Sequence, residues 1–253
     1  IVIATITVAT FVQTVNMLKT TINTMGALMQ VISPFLLSVL IATGKISTTG
    51  IIQPLLLFLA SSVGFIVTYF VIPLLSISVA FNVICSISEN IRLEKLSKIF
   101  SNVSLWTIGV VLTVFLGVLS LETSLSLSVD SLSVKTTQAA VSNFVPVVGK
   151  FFSDSFEVVV GATKIIGKTG GIIGILGIVI VGIIPIFKIT SIMVIYMLLA
   201  AFVEMITADK LILKYLSGFV NVYKTMLGIL IGVVILFVIS TGIILNLVNS
   251  IVT

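Results

Sequence analysis

The sequence predicts an all-α polytopic membrane protein, with about five to seven membrane segments, a small β-hairpin outside the bilayer and amphipathic helices at the membrane surface. Of the 253 residues, 58% are hydrophobic and only 8% are charged, whereas charged residues make up about 25% of an ordinary soluble domain. The mean hydropathy is +1.38. These values exclude a disordered chain and an ordinary soluble enzyme.

Windows free of charged residues mark the candidate membrane segments, because a helix needs about 20 residues to cross about 30 Å of hydrocarbon. The windows are 1–18, 20–44, 46–88, 99–121, 169–187, 189–203 and 225–253. Three of them, 20–44, 99–121 and 225–253, each suit a single crossing. The first window suits the end of a crossing that begins upstream of Ile1.

Two regions are predicted to contain broken or re-entrant helices. Window 46–88 is long enough for two tight crossings, and Pro54 and Pro73 each remove a backbone donor within it. We therefore expect a broken helix or a hairpin there. The two windows on either side of Lys188 are separated by that residue alone, which favours a helical hairpin or a kinked pair.

The order of these segments predicts three domains. They are a first transmembrane bundle (1–121), an extramembrane segment (122–168) and a second transmembrane bundle (169–253). The charged connections 88–98 and 208–224 are both candidates for the cytoplasmic side. The extramembrane segment also carries lysines, so the orientation stays open.

The extramembrane segment begins with a run in which apolar residues alternate with serines, and period two is typical of a strand. The phase slips at Asp130, as at a turn, so we predict a β-hairpin over 121–137. Copies from neighbouring subunits would close its strands into a ring. Amphipathic helices, broken near Pro146, are expected to follow up to residue 168. The apolar residues predicted to form the hairpin are Leu121, Leu125, Leu127, Val129, Leu132 and Val134.

Several chemistries are absent from the composition. The chain has no histidine and one cysteine, Cys85, which excludes histidine-dependent hydrolysis and leaves no set of residues typical of a metal site. The segment from Gly161 to Thr169 resembles a phosphate-binding loop, but it has one residue too many between its glycines. The net charge of +5 is dispersed, so nucleic acid binding is not indicated. We expect a protein without catalytic activity, cofactor or metal.

Glycines at helical spacing predict close helix packing. Without side chains, such residues let two helix backbones approach each other in lipid. The spacing favours packing but leaves open whether it occurs within one chain or between copies. The candidate packing or oligomer-contact residues are Gly167, Gly170, Gly171, Gly174, Gly177, Gly228 and Gly232.

Polar residues within the apolar windows are the candidates for a transport path. Glu204 is as well explained by a position at a helix end. Gln30, which precedes Pro34, is as well explained by one interhelical hydrogen bond. No pair of acidic residues lies deep in two separate segments. The membrane-embedded polar candidates are Gln30, Gln53, Asn82, Lys188 and Glu204.

The stretches LMQVISPFLLSVLIATG (28–44), IIQPLLLFLASSVGF at the start of 51–88, SLWTIGVVLTVFLGVLSL (104–121) and above all VKTTQAAVSNFVPVVGK (134–150) resemble the stage III sporulation protein AE family. The resemblance covers approximately residues 25–250. It implies a non-enzymatic subunit of a secretion-like channel complex between mother cell and forespore, located in the mother-cell-derived membrane around the forespore. No catalytic residue is implied.

Two functions remain open from the sequence. The first is a pore-forming or scaffolding subunit that binds other copies of itself, other subunits of the complex and the lipid bilayer. The second is a secondary transporter or permease acting as a monomer or dimer, which the prolines within apolar windows favour. An internal repeat would support the transporter, and we find no convincing one.

Overall fold

The computed structural model describes the backbone of residues 2–42, 46–85, 93–144, 148–206 and 210–249. Side chains are described for most of these residues but not for 122–164. Every element in the described backbone is helical. The elements are α1 (Val2–Ala42), α2 (Ile46–Ile66), a π-helical turn (Val67–Val71), α3 (Ile72–Cys85), α4 (Glu94–Phe144), α5 (Val148–Ile206) and α6 (Lys210–Asn249).

Five helical runs are long and apolar enough to cross a membrane, within the range expected from the sequence. Each exceeds the roughly 20 residues that a crossing requires. The described part of the chain is therefore an all-helical protein of the polytopic membrane class. The runs are Ala4–Ala42, Ile52–Cys85, Glu94–Leu121, Ile165–Ile206 and Leu211–Val248.

The predicted β-hairpin is wrong, because residues 121–137 lie within the continuous helix α4. Leu121, Leu125, Val129 and Leu132 also repeat at helical spacing, so their alternation with serine did not discriminate between strand and helix. No glycine or proline occurs between Val118 and Phe144, and extending an existing helix costs far less than starting a new element. The positions of Leu127 and Val134 are helical for the same reason. The expected ring of paired strands required this hairpin and is therefore also wrong.

The segments that follow the supposed hairpin are also helical, in the last turns of α4 and the first turns of α5. Pro146, where a break was expected, lies outside the described residues. The amphipathic character predicted for this part concerns side chains that the structure does not describe.

The hairpins predicted within window 46–88 and around Lys188 are not observed. The chain is helical from Ile46 to Cys85, and α5 continues through both Pro185 and Lys188. Before Pro73 the helix widens into the π turn, where the N–H of Ile72 donates to the carbonyl of Val67. A proline ring collides with the carbonyl four residues earlier in a regular α-helix. That carbonyl, of Tyr69, lies within the π turn, so the change of winding accommodates the proline without ending the helix.

The described chain divides into two compact units. The first unit is Ile1–Gly26, Ser62–Thr113 and Val179–Ile235, and the second unit is Ala27–Ser61, Val114–Ile178 and Leu236–Thr253. Every long helical run contributes residues to both. Large side chains fill the interior of each unit. Fully buried examples are Leu18, Met25, Phe219 and Tyr223 in the first, and Met29, Leu36, Leu56 and Phe237 in the second.

Candidate functional site: glycine contacts and buried hydroxyl groups between helices

The seven glycines selected from the sequence lie on α5 and α6, and six of them face side chains of other helices. A Cβ atom added at any of these six would lie within 3.0 Å of such a side chain. Only Gly177 has no other atom within 4 Å of a Cβ in this position. Side chains of other helices therefore occupy the space that Cβ atoms would need at these six positions. The six are Gly167, Gly170, Gly171, Gly174, Gly228 and Gly232.

Two valine side chains surround Gly167 in the second unit. A Cβ at this position would lie 2.5 Å from Cγ1 of Val39 on α1 and 3.0 Å from Cγ1 of Val248 on α6. Val39 is 6% exposed and Val248 is fully buried. Valine has restricted χ1 rotation, so neither side chain can turn away easily. At Gly167, α5 therefore contacts α1 and α6 together.

The α1–α5 contact continues through two further glycines of the second unit. A Cβ at Gly174 would lie 3.0 Å from two carbon atoms of Ile32, and one at Gly170 would collide with the ring of Phe35. Residue numbers fall along α1 as they rise along α5. The two helices therefore run antiparallel within this unit.

Other glycines join α6 to its neighbours. In the second unit, a Cβ at Gly171 would lie 2.6 Å from Cδ1 of Leu245. In the first unit, the Cβ positions of Gly228 and Gly232 lie 2.8 Å from Cδ1 of Leu105 and 2.9 Å from Cγ2 of Ile108 on α4. Both numbers rise together, so α4 and α6 run parallel in the first unit.

Serine side chains join α3 and α4 in the first unit by reciprocal hydrogen bonds. Ser78 Oγ donates to the carbonyl of Ser97 at 2.8 Å, and Ser97 Oγ donates to the carbonyl of Ser78 at 2.9 Å. Their two hydroxyl oxygens are 3.0 Å apart. Both side chains are buried, so the pair fixes the relative height of the two helices.

Further hydroxyl pairs join other helices. Ser101 on α4 and Thr225 on α6 are hydrogen-bonded at 2.6 Å, and Thr7 on α1 is hydrogen-bonded to Tyr215 on α6. These residues were not predicted from the sequence, because serine and threonine are common in apolar helices and often bond to their own backbone. The positions of Ser78, Ser97 and Ser101 in otherwise apolar helical faces were the available signal.

Four aromatic side chains form a cluster in the first unit. The ring of Tyr196 on α5 is stacked 5.4 Å from that of Tyr223 and 6.0 Å from that of Phe219. The ring of Tyr215 lies 4.9 Å from Phe219. All four side chains are buried, and these centroid distances are typical of favourable aromatic pairs. The cluster packs α5 against α6.

The polar residues selected from the sequence do not form one site. Gln30, Gln53, Lys188 and Glu204 are exposed. Asn82 is buried, and a Cβ at Gly218 would lie 2.6 Å from its Oδ1. The contacts of these five side chains link none of them to another. Glu204 lies two residues before the end of α5 at Ile206.

An apolar groove of about 530 Å³ lies in the first unit, beside the π turn. Its lining is apolar apart from Thr107, whose hydroxyl donates to the carbonyl of Val103 at 2.8 Å. Trp106 is 74% exposed at its edge. The groove therefore offers shape and apolar surface without a free polar group. The lining residues are Phe65, Ile66, Phe70, Val103, Trp106, Thr107, Val110 and Val111.

Metal-ligating side chains do not cluster in the part of the chain that the structure describes: no three or more Cys, Asp or Glu residues there could hold an ion together. The described contacts are those between packed helices. Long apolar helices, glycine contacts and buried hydroxyl pairs define a polytopic α-helical membrane protein.

The chain belongs to the stage III sporulation protein AE family, whose sequence profile matches residues 1–247. Stage III sporulation protein AE of Bacillus subtilis (strain 168) is 27% identical over 190 residues. That match covers 75% of this chain and 48% of the relative, so the chain spans about half the length of the curated relative it matches. No solved structure matches at a significant level. The family identifies a sporulation membrane protein.

Proposed function

We propose that this protein is a non-enzymatic scaffold subunit of a channel complex between mother cell and forespore, and that it works as a homo-oligomer in the mother-cell-derived membrane around the forespore. Family membership supports the role in sporulation. The filled interior of each unit supports a scaffold rather than a pore within one chain. Any conducting path would then lie between copies or against other subunits.

The packing of both units carries this proposal. In the first unit, Phe219 and Tyr223 are fully buried, and in the second unit Phe237 and Leu36 are fully buried. Side chains of this size leave no aqueous passage among themselves. Outside, large apolar side chains are exposed along much of α4 and α5, including Val110, Val114, Ile173 and Ile184. Lipid or protein partners must cover such surfaces.

The mass of the purified particle in nanodiscs tests the homo-oligomer. We expect a defined multiple of 26.9 kDa after subtraction of lipid and scaffold protein. A particle containing one chain at all protein concentrations would contradict self-assembly. Planar-bilayer conductance of the same particle then separates a pore between copies from a scaffold, which we expect not to conduct without its partner subunits.

A sporulation assay tests the cellular role. We expect a strain without this protein to form forespores but to fail in late forespore gene expression, measured with a fluorescent reporter. Expression of the intact protein in the mother cell should restore the signal, whereas expression in the forespore should not. Restoration from the forespore alone would place the protein in the wrong membrane for this proposal.

The alternative, a secondary transporter, has less support from the described side chains. Its expected polar residues, Gln30 and Gln53, are both exposed. The groove beside the π turn has no free polar group for a hydrophilic solute. Saturable uptake of a solute by proteoliposomes, lost in the Gln30→Leu and Gln53→Leu variants, would favour the transporter over the scaffold.

A further inference from the structure

Four exposed lysines occur on four different helices of the first unit. They are Lys19 on α1, Lys98 on α4, Lys188 on α5 and Lys224 on α6. Lys19 and Lys188 interrupt uncharged helical stretches, and Lys98 and Lys224 each directly precede one. Their heights along the bundle follow from contacts with α6, because α1, α4 and α5 all touch α6 within this unit.

Lys19 and Lys224 lie at nearly the same height. Thr7 on α1 is hydrogen-bonded to Tyr215 on α6. A Cβ at Gly182 would lie 2.8 Å from both Met25 on α1 and Val234 on α6, so α1 runs parallel to α6 in this unit. Lys19, twelve residues beyond Thr7, therefore faces residue 227 of α6. Lys224 is three residues from that point, or about 4.5 Å at 1.5 Å per residue.

Lys98 on α4 lies at nearly the same height as Lys19 and Lys224. Ser101 is hydrogen-bonded to Thr225, and α4 runs parallel to α6 in this unit. Lys98 precedes Ser101 by three residues, so it faces residue 222. Its distance from Lys224 along the helix axis is about 3 Å.

Lys188 completes the set. A Cβ at Gly182 would lie 2.8 Å from Cγ2 of Val234. The ring of Tyr196 stacks against rings at residues 219 and 223. Between these two points α5 runs antiparallel to α6, and Lys188 faces approximately residue 228. The four lysines thus lie level with residues 222–228 of α6, in a layer about 9 Å deep.

A layer of four lysines must lie at a membrane surface, because charged side chains at the centre of a bilayer are costly. The direction of the membrane follows from the neighbouring charges. Within the first unit, all four helices leave the layer in the same direction into the uncharged windows 20–44, 99–121, 169–187 and 225–253. These windows contain roughly 19 to 29 residues, enough for about 28 to 44 Å of helix. That length matches a hydrocarbon core of about 30 Å.

On the other side of the layer, α4 and α6 carry charges close to it. Lys214 lies ten residues from Lys224, about 15 Å away, and forms an ion pair with Glu94. The hydrocarbon therefore lies on the side of the long windows. Residues 4–18 of α1 and 189–206 of α5 then lie outside it.

The layer has no acidic partner of its own among the described side chains. The one ion pair found there joins Glu94 to Lys214, and the four lysines are exposed. A band of lysines at a membrane surface attracts negatively charged lipid headgroups. We propose that Lys19, Lys98, Lys188 and Lys224 form a lysine belt that binds the phosphates of anionic phospholipids at one face of the membrane. This inference does not depend on the channel or scaffold role.

Two exposed apolar residues on α5 test the position of the belt. Ile180 and Phe202 are 60% and 59% exposed and lie on opposite sides of the layer, facing approximately residues 236 and 214 of α6. Each is replaced by cysteine in a Cys85→Ala background, reconstituted in nanodiscs and treated with a membrane-impermeant maleimide. We expect the Phe202→Cys variant to react at the rate seen in denaturant and the Ile180→Cys variant to be protected. Protection of both, reaction of both or the reverse pattern would overturn the proposal.

Lipid dependence tests the ligand. We expect a higher melting temperature in phosphatidylglycerol nanodiscs than in phosphatidylcholine nanodiscs, and loss of this difference when all four lysines become glutamine. The matched variant with four arginines should keep the difference, because it keeps the charge. Equal melting temperatures of the wild type in both lipids would contradict the proposal. So would an equal stabilisation by free inorganic phosphate in phosphatidylcholine, since the source would then not be lipid.

Discussion

Gly167 offers the sharpest test of the packing between α5 and its neighbours, and Gly177 on the same helix is its matched control. Alanine at Gly177 meets no atom within 4 Å, so it should stabilise the helix by about 0.5–1 kcal/mol through its higher helix propensity. Alanine at Gly167 gains the same stabilisation from helix propensity. It also places a methyl group 2.5 Å from Cγ1 of Val39 and 3.0 Å from Cγ1 of Val248.

Overpacking of a filled interior costs about 1–3 kcal/mol. The two variants should therefore differ by about 1–3 kcal/mol in the free energy of unfolding, and Gly167→Ala should be the less stable. The helix-propensity term cancels in the comparison, so the difference measures the steric conflict alone. Val39→Ala added to Gly167→Ala should recover part of the loss, because it removes the nearer methyl group.

Reversible unfolding in mixed micelles, followed by circular dichroism, measures both variants under the same conditions. Stabilisation of Gly167→Ala to the same extent as Gly177→Ala would refute the reasoning. It would mean that the α5 backbone can retreat from Val39 at no cost. A loss in both variants would show instead that α5 does not tolerate alanine for reasons unrelated to this contact.

Three further predictions follow from buried hydroxyl groups and the ion pair. Ser78→Ala should lower the free energy of unfolding by about 1 kcal/mol because it removes the bond that the Ser78 hydroxyl donates to the carbonyl of Ser97 on α4. Ser33→Ala should cause no loss, since the Ser33 hydroxyl is buried without a partner; equal losses in micelle unfolding would contradict this. Tyr215→Phe should cost about 1 kcal/mol by removing the bond to α1, and an unchanged midpoint would show that this bond contributes nothing. Lys214→Gln should change stability by less than about 1 kcal/mol, because Lys214 and Glu94 are 33% and 38% exposed and water screens the pair; a larger loss that persists in high salt would argue against this.

The class of protein could be predicted from the sequence because it depends on hydropathy and charge content summed over long stretches of the chain. Long uncharged windows and a low charge content have few explanations other than membrane-spanning helices. Where local patterns had two explanations, the prediction was less secure. Leu121, Leu125 and Val129 satisfy both a strand period and a helical period, and only the continuity of α4 from the preceding apolar segment decides between them.

Pro73 shows a second reason why the predicted and observed structures differ. A proline in an apolar window indicates a break, a kink or a local change of winding, and these cannot be distinguished without the surrounding packing. The structure accommodates Pro73 with a π turn before it, and Pro185 within the continuous α5. A charged residue such as Lys188 is equally ambiguous, because an exposed lysine can remain within a helix that continues past it.

The contacts between helices were predictable only in part. The glycine spacing identified α5 and α6 as closely packed helices, but it could not identify Val39, Leu105 or Ile108 as the opposing residues. The Ser78–Ser97 pair was not predicted, since reciprocal bonds between two helices depend on their relative height. That relative height depends on how α3 and α4 pack against each other and has no local sequence signature.

The π turn at Val67–Val71 has a consequence for insertions and deletions in this helix. Val63, Val67, Val71 and Leu75 are all buried at intervals of four residues, which in a regular α-helix would drift by about 120° around the axis. The π turn accommodates one extra residue, equivalent to about 100°, and so keeps these four on the same face. Removing one residue here would restore regular α-helical winding and keep Leu75, Ser78 and Asn82 on the buried face, because the lost residue and the lost π turn each account for about 100°. The π turn thus absorbs one surplus residue without changing which residues are buried downstream, whereas a further insertion would rotate them away.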